Sequence, residues 1–142
     1  MMRNQSGYPD PTAEAAIGRA MADAYYAARR PMVYLCAPED ADRRWRTRRA
    51  RQYCRMAVQA HTTPIMPRMM YERILGAEGL RENGTDVMFM SRTIMRKCRE
   101  LWWFGDTPTR EMKQEIRYAN KYGLVIRHFT KQGTEVKRHA VS

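Results

Sequence analysis

Acidic residues are the scarce charge in this chain: 15 Asp+Glu stand against 26 Lys+Arg, a formal net charge of +11 at pH 7. That balance disfavours cationic ligands and favours phosphate-bearing ligands, nucleic acid or an acidic partner. Cysteine is also sparse. Cys36, Cys54 and Cys98 are odd in number and widely spaced, and they form no CxxC or zinc-like cluster with His61, His128 or His139. A disulfide framework and a metal site are therefore not expected, and a reducing compartment is. No run reaches the apolar length of a membrane span, and MMRNQSGYPDPTAE lacks the basic-then-apolar order of a secretion signal, so a soluble cytoplasmic protein without membrane partners is expected. Neither GxxxxGK nor GxGxxG occurs, which argues against triphosphate hydrolysis on a P-loop and against ordinary dinucleotide binding. No cofactor is implied. Internal repeats and low-complexity tracts are absent too.

What is present fits one domain, since 142 residues can bury a core that holds without disulfides or metal. Residues 1–11, with Gly7, Pro9 and Pro11, predict a mobile lead-in. Thr12 looks like a cap for a helix over Ala13 to Arg29, stopped by Pro31, that would pack on a sheet edge or a second subunit. Met32 to Cys36, MVYLC, is a short continuous apolar run and predicts a central strand buried on both faces. A helix to about Ala60 follows the loop from Ala37 to Ala41. Next come a strand over Thr63 to Met66, a short helix over Met69 to Leu75, a loop from Gly76 to Gly84, and a helix from Asp86 to Arg99. Leu101 to Phe104 predicts a strand, Pro108 to Tyr122 a helix stopped at Gly123, and Leu124 to Phe129 a strand. The tail 131–142 either folds back at Gln132 and Gly133 or frays. Strands alternating with helices predict a parallel α/β sheet.

Two stretches carry candidate chemistry. In DRRWRTRRARQYCR, Arg44, Arg48, Arg51 and Arg55 recur at spacings of four, three and four, which puts them on one helix face. That face is either solvated, opposite a core stripe of Thr47, Ala50, Cys54 and Ala57, or a surface for phosphate or nucleic acid. The second stretch, from Arg99 to Phe129, reads as strand, polar loop and helix. In open α/β sheets the crevice at the carboxyl ends of strands holds the ligand, which singles out Glu115. Trp102 and Trp103 alternate across their strand as sheet-face core. Met66, Met69 and Met70 read as adaptable filler.

VYLCAPEDAD at 33–42, ARQYCRMAVQAHTTPIMPRMMY at 50–71 and KCRELWWFGDTPTREMKQEIRYANKYGLVIRHF at 97–129 resemble uncharacterised bacterial and phage proteins related to nucleoside 2-deoxyribosyltransferases. The resemblance implies a Rossmann-like (flavodoxin-like) three-layer sandwich over residues 31–130, with a mostly parallel sheet of four to five strands. It implies a nucleoside or nucleotide ligand, and an oligomer in which a neighbouring subunit can complete the site. It also places Glu115 where the active transferases carry the glutamate that attacks the sugar's anomeric carbon. Such a carboxylate can form a covalent glycosyl intermediate, as in retaining glycosidases. Asp106 and Glu111 are the nearest acids to assist the leaving base. Ala37, Pro38 and Glu39 in the first loop, Arg68 and Tyr71 after the second strand, and Gly105, Thr107, Thr109 and Met112 before Glu115 are the implied substrate contacts.

Departures from the family pattern concentrate around the glutamate. Thr109-Arg110-Glu111-Met112 stands where relatives commonly have Ser-x-Gly-Met, Thr109 and Ser91 fall near positions of aspartates, and Arg68 follows Pro67 where histidine is frequent. Three functions compete on this reading. They are an N-glycosidic bond hydrolase or transferase working through Glu115, a nucleotide-binding or sensing protein that has lost the chemistry, and a binder of nucleic acid or an acidic protein through the arginine helix.

Overall fold

The computed structural model of the chain describes residues 11–38 and 43–137. The lead-in 1–10, Glu39 and the last residues of the tail lie outside them. A continuous apolar run makes β1 (Met32–Cys36) the centre of the sheet, with Val33 to Cys36 all buried. α1 (Pro11–Arg29) precedes it, and α2 (Arg43–Gln59) leads on to the short edge strand β2 (Thr63–Ile65). α3 (Pro67–Glu82) and α4 (Gly84–Met95) cross back over β1 to β3 (Glu100–Phe104), and α5 (Arg110–Lys121) connects to β4 (Val125–Phe129). The strand order is β2-β1-β3-β4 and every pairing is parallel, so the fold is the Rossmann-like, flavodoxin-like α/β sandwich with four strands among the described residues. Tyr34 lies opposite Ile65 on one side and Leu101 on the other. The connection reverses direction between β1 and β3, and this is the point where doubly wound sheets open a ligand crevice.

Alternation along the strands divides the core in two. Tyr34, Cys36 and Leu101 meet Met95, Met112 and Ala119 of α4 and α5, whereas Val33, Leu35, Trp102, Phe104 and Phe129 meet Tyr53 and Ala57 of α2. Trp102 and Trp103 do fall on opposite faces, and Trp102 is fully buried. Tyr53 and Phe104 stack with ring centroids 3.8 Å apart. Each such side chain contributes about 1.5–3 kcal/mol by leaving water, so the sheet is fixed in place from both sides.

Sequence and structure part company between Gly76 and Gly84. A loop is expected there, but α3 resumes after Gly76 and runs to Glu82. Gly76 alone adopts φ 75°, ψ 169°, a kink that interrupts one turn, and the following AEGLRE is made mostly of good helix formers. α4 ends at Met95, earlier than Arg99. The chain folds back after β4. Gly133 N–H donates to the Thr130 carbonyl, Glu135 bridges antiparallel to Phe129, and the Arg127 guanidinium grips the Glu135 carboxylate through two bonds of 2.7 Å. Residues 15–21 of α1 are exposed, Ile17 and Met21 included. Among the described residues no helix is long and apolar enough to cross a membrane.

Candidate functional site

α5 turns a stripe of Met112, Glu115 and Ala119 into the core, so a carboxylate stands where the helical period calls for an apolar residue. Glu115 is 4% exposed. A buried charge is costly unless it is hydrogen-bonded, and here β1 supplies the bonds. Tyr34 and Cys36, two residues apart on one side of the strand, both reach α5: the Tyr34 hydroxyl donates to Glu115 Oε2 at 2.5 Å and the Cys36 thiol to Oε1 at 3.6 Å. Burial pushes the Glu115 carboxyl above its ordinary pKa, and the nearby Glu111 charge adds to that. The Tyr34 bond, the Arg68 charge and the Cys36 bond work against it. Burial, followed by the charge of Glu115, holds Tyr34 and Cys36 well above their ordinary values, so both keep their protons at neutral pH and act as donors. Ser91, also buried, makes a side-chain hydrogen bond to the Tyr34 phenol.

Two cavities meet at this carboxylate. A cleft of 1280 Å³ lies between α3, α4 and α5, and a recess of 240 Å³ lies at the end of β1 against α2. Arg68, Glu72 and Glu115 line both. Arg81, Arg92 and Arg110 add positive charge to the cleft, while Glu82 and Glu111 add negative charge. The Arg92 guanidinium lies 4.0 Å from the Tyr118 ring centre and donates to the Tyr122 hydroxyl at 2.7 Å. A ligand in the cleft would meet a rim of mixed charge, aromatic surface from Phe89 and Tyr118, and the buried Glu115 carboxylate.

The other candidate residues are distributed unevenly. Ala37 and Pro38 line the recess. Glu111 is exposed on the cleft. Asp106 and Thr107 are exposed and line neither cavity, because Gly105, at φ 119°, turns the loop toward β4. The Gly105 N–H donates to the Phe129 carbonyl at 3.0 Å, and its own carbonyl meets His128 Nε2 at 2.5 Å. Thr109 caps α5, its hydroxyl accepting from Met112 N–H, and the Met112 side chain is core. Tyr71 is half-buried and lines neither cavity. Arg48, Arg51 and Arg55 are exposed on α2, across the sheet from α5, and the Arg44 side chain falls outside the description. Among the described residues no group of three or more His, Cys, Asp or Glu could hold a metal.

Tyr34, Cys36, Ser91 and Glu72 are the participants that the sequence reading missed. For Tyr34 and Cys36 a signal existed, namely two hydrogen-bonding side chains at i and i+2 inside a central strand. Glu72, four residues after Arg68 on a helix, carried one as well. Residues 31–129, which include the sheet and every group around Glu115, match the profile of a family described as a domain of unknown function (DUF7768). No curated protein matches the chain.

Proposed function

We propose that this chain, which belongs to the DUF7768 family, breaks or transfers the N-glycosidic bond of a nucleoside or nucleoside monophosphate, with Glu115 as nucleophile. The observation that carries this reading is the buried carboxylate at the meeting of two cavities, held by donors on both oxygens. Tyr34 and Cys36 fix its rotamer, and the Arg68 charge favours its ionised form. The carboxylate attacks the anomeric carbon as the C–N bond breaks, and the bond's electron pair leaves with the base. Water or a second base then attacks the glycosyl ester and frees Glu115. Glu72, on both cavities, is the best-placed acid to protonate the departing base; Glu111 on the rim is the next. Arg68, Arg81, Arg92 and Arg110 suit a 5′-phosphate on the sugar. The three free thiols suit work in the cytoplasm.

The test is release of free base from a panel of ribo- and deoxyribonucleosides and their monophosphates, resolved by chromatography. Release by the wild type that falls about 10³-fold or more in Glu115→Gln supports the reading. A second reading, a nucleotide sensor without turnover, draws on Glu111, which stands where relatives commonly have glycine and whose charge on the cleft opposes ionisation of Glu115. Its mark would be a nucleotide that raises the melting temperature while no base is released.

A further inference from the structure

The positive charge of the chain is gathered on α2. From Arg43 to Gln59 the sequence RRWRTRRARQYCRMAVQ holds seven arginines and no Asp, Glu or Lys. Ala50, Tyr53 and Ala57 turn inward. Arg48, Arg51 and Arg55 share the opposite side, exposed, with the neutral Gln52 and Gln59 exposed among them. Solvated helix faces usually alternate sign, so that side chains three and four apart attract. On α2 the exposed Arg51 and Arg55, four residues apart, carry the same sign instead. A face of one sign attracts a polyanion.

We propose that the exposed arginine face of α2 binds the phosphate backbone of a double-stranded nucleic acid, independently of the chemistry at Glu115. Exclusive use of arginine selects the planar fork that pairs bidentately with phosphate oxygens, whereas lysine would serve an acidic protein equally well. From Arg48 to Arg55 the helix rises about 10 Å, which spans about three phosphates along one strand of a duplex. The face is flanked by more positive charge: Arg49 donates to the Lys131 carbonyl, which brings Lys131 beside α2, and Arg30 donates to the Val58 carbonyl near the helix end.

The test is fluorescence anisotropy of a labelled DNA duplex of about 20 base pairs across a salt series. It compares the wild type with Arg48→Ala/Arg51→Ala/Arg55→Ala and with Lys113→Ala/Arg117→Ala/Lys121→Ala, which removes the same formal charge from exposed positions on α5. The α2 variant should lose about tenfold or more in affinity and flatten the slope of log K against log salt by about 2 to 3. The α5 variant should change affinity by less than about threefold, in keeping with loss of long-range attraction alone, and Glu115→Gln should bind as the wild type does. Arg51→Glu, which gives Arg55 an attractive partner four residues away, should lose binding while melting no lower than the wild type. Equal losses from the two triple variants, no salt-dependent duplex binding by the wild type, or displacement of the duplex by poly-glutamate as readily as by unlabelled duplex would each overturn the proposal.

Discussion

The two sides of the sheet handle charge in opposite ways. Toward α5 a single carboxylate is buried and every favourable contact it has is specific: a phenol on one oxygen, a thiol on the other and an arginine nearby. Toward α2 the interior is apolar, with Trp102, Phe104 and Phe129 against Tyr53 and Ala57; the half-buried Arg127 pairs with Glu100 and Glu135 over the Trp102 ring, and α2 itself carries charge of one sign, exposed at Arg48, Arg51 and Arg55. The comparison separates two kinds of recognition. A buried group acts at one atom and depends on exact partners, whereas an exposed array acts through its summed field and tolerates loss of any one member.

The contrast can be broken from the α5 side first. Glu115→Gln should abolish base release, by about 10³-fold or more, measured by chromatography at saturating substrate. The same variant should melt no lower than the wild type at pH 8, because it removes a carboxyl whose ionised form burial disfavours. The direction of the pKa fixes the pH dependence: the folded state holds the Glu115 proton more tightly than the unfolded chain does. Its contribution is therefore most favourable below the ordinary carboxylate pKa and declines as pH rises toward the raised value. Thermal melts at stepped pH should show a decline that Glu115→Gln lessens.

From the α2 side, Trp102→Ala should cost about 3–5 kcal/mol of stability by denaturant unfolding, with base release per folded molecule retained. Tyr34→Phe sharpens the contrast. Loss of its hydroxyl leaves Glu115 Oε2 without its donor, which should cost about 1–3 kcal/mol and shift the pH–rate profile upward, since the bond that opposes the raised pKa is gone. The smallest effect belongs to Thr109→Ala, which removes the α5 cap and should cost about 1 kcal/mol of stability in the same unfolding assay.

The parts of the molecule legible in the sequence are those whose signal is local. MVYLC and LWWF are short apolar runs rich in strand formers, and the period of α5 puts Glu115 on its inner stripe. The partners of Glu115 were not legible, because Tyr34 and Cys36, and Ser91 behind Tyr34, lie far from it in the chain and are brought near by the register of β1 against β3 and the crossover of α4. Gly76, Gly79 and Gly84 together imitate a loop, although only Gly76 takes a conformation that breaks the helix. Asp106 and Thr107 looked like site residues by position, and the turn at Gly105 sends them to solvent. The arginine face was visible at once as a pattern; what the fold adds is that its buried side packs on the sheet and leaves Arg48, Arg51 and Arg55 outside.

The most direct test of the proposed nucleophile Glu115 is intact-protein mass measured after rapid acid quench of the protein with each nucleoside and nucleoside monophosphate of the panel. A wild-type mass increase equal to the sugar, or to the sugar phosphate, mapped to the peptide carrying Glu115 and absent from Glu115→Gln, is the predicted result. Base release by Glu115→Gln at the wild-type rate, with no adduct on either protein, would contradict it.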